Sequence, residues 1–207
     1  MMTELFHRYP TLRACEESIL HAQKALTALY ERGGKLLLCG NGGSAADCDH
    51  IVGELCKGFL NVRALPEKQR ERMKQKSPTL SDETLAKLQQ GLPAIALSSL
   101  SVLNAAFAND VAADLVYAQG VLALGCPDDC LLAISTSGNS KNVLDACRVA
   151  RALGLTVIAL TGEGGGRLSE LADICICVPE RETYRVQELH LPVYHALCAS
   201  LESHFFG

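Results

Sequence analysis

From Thr11 to Arg32 the apolar residues Leu12, Cys15, Ile19, Ala22, Leu26 and Leu29 recur at threes and fours. That spacing lays apolar side chains along one face of a helix, and Gly33-Gly34 closes the run. It predicts an amphipathic helix over 11–32 whose stripe needs a partner. Beyond it the pattern changes to five short, largely apolar runs: Leu36–Cys39, Ala94–Leu97, Cys130–Ser135, Thr156–Leu160 and Asp173–Val178. The first four lead into segments with helical character, namely Ser44–Phe59, Ser101–Leu124, Asn142–Leu153 and Arg167–Leu171, and the fifth leads into Tyr184–Phe205. Strands apolar throughout, alternating with helices, belong to a parallel sheet covered on both faces. The expected fold is α/β, a three-layer α/β/α sandwich on five parallel strands, in one domain over 1–207.

One segment breaks the rhythm. Residues 61–92 interrupt the first crossover with the charged stretch Pro66–Lys76, then Ser77-Pro78 and a short pattern opened by Ser81-Asp82-Glu83. Pro66 suits a first helical turn and Ser81 an N-cap, so a helical insertion on the surface is expected. Its excess of Lys and Arg reads as a solvated helix face. Met1 to Arg13 carries only isolated apolar residues and so lacks the core of a signal peptide, and no apolar run reaches the ~18 residues of a membrane span.

Composition adds boundaries. Lys plus Arg number 19 against 23 Asp plus Glu, a net charge of −4, which argues against nucleic acid or an anionic membrane as a general partner. The expected location is the cytoplasm, where the 10 cysteines stay free. Cys126-x-x-x-Cys130 and Cys175-x-Cys177 lack a second pair at zinc-site spacing.

Chemistry concentrates where strands stop. The first strand runs into Gly40-Asn41-Gly42-Gly43-Ser44, a strand–loop–helix junction whose glycines permit close approach to a ligand and whose helix N-terminus attracts an anion. Gly40-x-Gly42-x-x-Ala45 also fits the loose dinucleotide fingerprint, but the second strand ends in Ser98-Ser99-Leu100-Ser101 with no carboxylate for a ribose. No nucleotide cofactor is expected. A second loop, Ser135-Thr136-Ser137-Gly138-Asn139-Ser140, follows the third strand and offers hydroxyls and amides to a small phosphate. Two such loops at strand ends converge on one crevice.

Cys39–Ser44, His50-x-x-x-Glu54-Leu55, Ile134–Ser140, Leu160-Thr-Gly162 and Val186–His190, in that order, resemble the sugar isomerase (SIS) domain proteins, most closely the phosphoheptose (sedoheptulose 7-phosphate) isomerase branch. The resemblance covers nearly the whole chain outside 61–92. It implies a flavodoxin-like fold, a homotetramer with sites at subunit contacts, and a phosphorylated sugar held by Asn41, Gly42, Gly43, Ser44, Ser135, Thr136, Ser137, Ser140 and Gln187. It further implies Glu54 as proton-transfer base, His195 as its acid or base partner, and Zn2+ on His50, Glu54, Gln187 and His195. His50 and Glu54 are four apart, so they share a helix face. Gln187 and His195 would stand roughly 12 Å apart along a straight helix, and Pro192 between them should kink or restart it. His190, three residues from Gln187 and only loosely on its face, is the neighbouring alternative to His195, or else a polar contact at a subunit interface. Leu100 and Tyr184 stand where members of the branch carry Asp. Within the same group a non-catalytic phosphosugar-binding regulator of replication initiation and an SIS lyase are the alternatives.

Overall fold

The computed structural model describes residues 1–207. Five parallel strands form one sheet in the order β2-β1-β3-β4-β5: β1 Leu36–Gly40, β2 Ala94–Ala96, β3 Cys130–Ser135, β4 Thr156–Thr161 and β5 Ile174–Cys177. Every residue of β1 and β3 is buried, which is why these segments show no alternation. Leu36 to Gly40 of β1 stand in register with Cys130 to Ile134 of β3. The chain leaves β1 toward β2 on one side and later continues from β3 toward β4 on the other, so the order reverses between β1 and β3. The loops after these two strands therefore flank the switch point where α/β sheets bind ligands.

Helices cover both faces. On one lie α2 (Glu16–Glu31), α3 (Gly43–Cys56) and α10 (Thr183–Phe206), whose Ile19, Leu26, Ile51, Leu55, Val193 and Leu197 share a core with Leu36, Leu132 and Ile158. On the other, α7 (Val116–Leu124), α8 (Lys141–Ala152) and α9 (Leu168–Leu171) close over Leu37, Leu131 and Val157. No helix is long and apolar enough to cross a membrane.

Several boundaries differ from the sequence expectation. The 11–32 segment opens as a 3-10 turn, Pro10–Cys15, before α2 begins at Glu16. Ahead of it α1 (Met2–Arg8) forms a helix that periodicity does not reveal, because only Leu5 and Phe6 of its seven residues are buried. The 101–124 segment is broken: α6 (Ser101–Phe107) passes through a π turn at Ala108–Ala112 and a 3-10 turn at Ala113–Leu115 before α7. Helix α10 runs without interruption across Pro192. Glu188, whose carbonyl loses its helical partner there, is an exposed residue, so solvent can satisfy it.

The 61–92 segment does contain two helices, α4 (Glu67–Lys76) and α5 (Asp82–Lys87), the second capped by Ser81 Oγ accepting from the Thr84 amide at 3.1 Å. It is not wholly a surface excursion. Its base is clamped by an antiparallel bridge between Ala64 and Gln89, and Arg63, Leu65, Leu85 and Leu92 are buried.

Candidate functional site

The first loop is shaped by backbone. Gly42 has φ +55°, open to glycine and costly for other residues, and a Cβ on Gly40 would lie 2.8 Å from the Ser44 carbonyl oxygen. Tyr117 fastens the strand end by donating its hydroxyl to the Gly40 carbonyl at 2.6 Å. Gly42 caps α3 without a side-chain partner, and the loop closes on itself instead: the amides of the buried Ser44 and of Ala45 donate to the Asn41 and Gly42 carbonyls at 3.0 Å each.

The second loop folds on itself. The Gly138 amide donates to the Ser135 carbonyl at 3.0 Å, and Ser135 and Ser140 pair their hydroxyls at 3.1 Å. Ser137 is exposed and accepts the Asn139 amide at 3.2 Å, while the Thr136 carbonyl accepts the Gly162 amide at 3.0 Å. Gly138, at φ +65°, packs so closely on the Gly164–Gly166 turn that a Cβ would stand 2.0 Å from the Gly165 carbonyl oxygen. The two loops are stitched together by Asn41 and Asn142, whose amides exchange reciprocal hydrogen bonds of 2.9 Å each. Beside this stitch an open depression of about 440 Å³ is lined by Asn41, Ser140, Asn142, Lys141 and Asp114. Lys141 is held by Asp114 and by Asp145. Sequence inspection did not single out Lys141 or Asn142, although both immediately follow the loop's last serine.

A second cluster is built from side chains on α3 and α10. The His50 Nε2 atom stands 3.4 Å from Glu54 Oε1 and 3.5 Å from His195 Nε2, and the two imidazole rings meet edge to face at 4.9 Å. Glu54 keeps only 14% of its side chain exposed, and its other oxygen lies 3.6 Å from Lys57 Nζ. Burial, and next the neighbouring His50, push the His195 imidazole below its ordinary pKa, with Glu54 opposing. His195 is thus neutral near pH 7, free to accept a proton. Two residues absent from the sequence expectation orient His50. Tyr194 donates its hydroxyl to Asp47 Oδ1 at 3.2 Å and so receives Nδ1–H of His50 at 3.0 Å. That leaves the lone pair of His50 Nε2 facing Glu54 and His195. An apolar-walled cavity of about 460 Å³ between α1, Phe59-Leu60 and α10 opens on His195.

Of the expected metal set, His50, Glu54 and His195 converge and Gln187 does not join them. Its amide packs against Gly43 of the first loop, where a Cβ would sit 2.3 Å from Gln187 Nε2. The donor types suit zinc, and neighbouring donor spacings of 3.4 and 3.5 Å match tetrahedral edges for bonds of about 2.1 Å, but no three His, Cys, Asp or Glu side chains form a closed ligand set. His190 is not a surface contact. It is fully buried beneath β4, neither ring nitrogen makes a full hydrogen bond, and burial pushes its ring down to about 4, offset slightly by the Thr161 backbone.

A family profile described as "SIS domain" matches residues 83–162. A phosphoheptose isomerase of Rhodospirillum rubrum is 39% identical over 188 residues, covering 91% of this chain and 86% of its own. One from Thiobacillus denitrificans is 45% identical over 179 residues, covering 85% and 78%. The solved structure of a phosphoheptose isomerase from Neisseria gonorrhoeae superposes with a TM-score of 0.76 at 31% identity, over 97% of this chain and 94% of that one.

Proposed function

The chain belongs to the phosphoheptose isomerase family of SIS-domain proteins, and from that premise we propose that it interconverts sedoheptulose 7-phosphate with the matching aldose phosphate. The observation that carries the reading is the meeting of His50 with Glu54 at 3.4 Å and with His195 at 3.5 Å, on α3, which leads out of the first anion loop, and on α10. A protein that only bound a phosphosugar would need the loops and not this cluster.

The roles follow from the chemistry. Asn41, Gly42, Gly43, Ser44, Ser135, Thr136, Ser137 and Ser140 bind the phosphate through amides and hydroxyls, with Gln187 beside Gly43 at the sugar end. Glu54 takes the proton from C1 of the ketose, giving an enediol, and returns it to C2. His195 moves the hydroxyl proton between O2 and O1. Bonds and protons balance without an oxidant, so no nucleotide cofactor enters. Zinc, if bound, would be held by His50, Glu54 and His195 and would supply polarisation of the carbonyl oxygen. A homotetramer in the cytoplasm completes the reading; exposed Leu60 and Leu191 at the mouth of the His195 cavity support association with a second copy.

Proton NMR of the chain with sedoheptulose 7-phosphate tests this. Wild type should produce the aldose, and Glu54→Gln should bind the ketose and turn it over at least about a hundredfold more slowly. Binding by both without aldose from either would reduce the protein to a phosphosugar receptor. For the metal, zinc content of untagged wild type should exceed that of His50→Ala by about one ion per chain, and equal content would remove the site.

A further inference from the structure

Arg63 and Glu202 form a buried ion pair, with side chains 0% and 1% exposed, at the root of the 61–92 segment. The guanidinium has three acceptors. Nε reaches Glu202 Oε1 at 2.8 Å, Nη1 the Leu55 carbonyl at 2.6 Å, and Nη2 the Glu54 carbonyl at 2.9 Å. The last two are carbonyls of the final turn of α3, which a cation satisfies and whose dipole it complements. Glu202 in turn accepts the Phe59, Leu60 and Asn61 amides at 2.8, 2.7 and 3.1 Å. It lies seven residues after His195 on α10, two turns on and on the same face. The guanidinium also covers the Phe206 ring at 4.7 Å.

We infer that the Arg63–Glu202 pair positions the acid–base couple, by locking the turn of α3 that carries Glu54 to the face of α10 that carries His195. The inference rests on the isomerase reading and adds to it two residues that touch neither phosphate loop nor reacting atoms. The catalytic carboxylate and imidazole are 141 positions apart in sequence, and besides the half-buried Tyr194–Asp47 hydrogen bond it is the fully buried Arg63–Glu202 pair that ties their helices through charge. A shift of about 1 Å between them suffices to slow proton transfer up to a hundredfold.

The test uses the full chain with Arg63→Lys, Glu202→Gln and the double variant Arg63→Met/Glu202→Leu. Three quantities are read: kcat and KM for sedoheptulose 7-phosphate, the thermal midpoint, and the imidazole 1H–15N resonances of His50 and His195. The single variants should lose about tenfold to a hundredfold in kcat with KM within about twofold. The double variant removes both buried charges but leaves the Phe59, Leu60 and Asn61 amides and the Glu54 and Leu55 carbonyls without those partners, so it should regain only part of the midpoint, while kcat stays low and the imidazole resonances remain displaced. Recovery of kcat along with the midpoint, or resonances that match wild type, would overturn the inference and leave the pair a purely structural element. If the double variant fails to fold, Arg63→Lys, which keeps the charge and loses the three-way fork, decides by the same kcat and resonance readouts. Absence of turnover in wild type would sink the isomerase reading alone, and displaced or unmoved imidazole resonances would still uphold or overturn the positioning.

Discussion

The anion cradle and the acid–base cluster are made in opposite ways. The cradle is built by backbone: Gly42 and Gly138 adopt glycine conformations, and the second loop is held by main-chain contacts to Gly162 and Gly165 of the loop after β4. The cluster is built by distant side chains, His50 and Glu54 on one helix and His195 on another, and owes its geometry to packing and to Arg63 and Glu202. A backbone site tolerates loss of any one hydroxyl, because amides share the load. A side-chain site fails with a single atom out of place.

Substitutions separate the two. The largest effect is expected from His195→Asn, which should cut kcat by about 10²- to 10⁴-fold with ketose phosphate binding retained, read by NMR turnover beside titration calorimetry; equal loss of binding would merge the two regions into one. Gly138→Ala should cost about 3 kcal/mol or more in urea unfolding, since its Cβ would stand 2.0 Å from the Gly165 carbonyl oxygen at a positive φ. A near-neutral result would show that the cradle's backbone is less fixed than the comparison requires.

His190 sharpens it by pH. Its folded pKa of about 4 lies below the unfolded value of 6.5, so the unfolded chain binds the extra proton between them. This contribution leaves stability untouched above the unfolded pKa and lowers it as pH falls through that window, by about 1–2 kcal/mol between pH 7 and pH 5. His190→Leu should flatten that part of the urea-derived stability profile; an unchanged slope would assign the acid sensitivity elsewhere. The smallest effect belongs to Asn41→Ala. It removes both reciprocal amide bonds between the loops, each exposed to competing water, and should weaken inorganic phosphate binding by about fivefold, the equivalent of roughly 1 kcal/mol, with the stability midpoint little changed.

The same contrast explains what could be read from the chain. The buried strands, their parallel order of alternation with helices, and both loops were legible, because Leu36–Gly40 and Cys130–Ser140 carry their signals within a few residues. Tyr194, Asp47, Arg63 and Glu202 were not, since their meaning lies in partners far along the chain: Arg63 looks like one more cation near a charged stretch until Glu202 is seen against it, 139 residues away. Pro192 misled for a related reason. Its cost falls on Glu188, and only the fold reveals that this residue faces water.

Helices α3 and α10 run side by side in the same direction. Gly43 meets Gln187, His50 meets His195, and the end of α3 is joined to Glu202 through Arg63. From loop to imidazole the two helices rise about 9 Å from Ser44 to His50 and about 12 Å from Gln187 to His195. The pair acts as a ruler. Residue count along two helices thus sets how far the His50–Glu54–His195 cluster stands from the first loop.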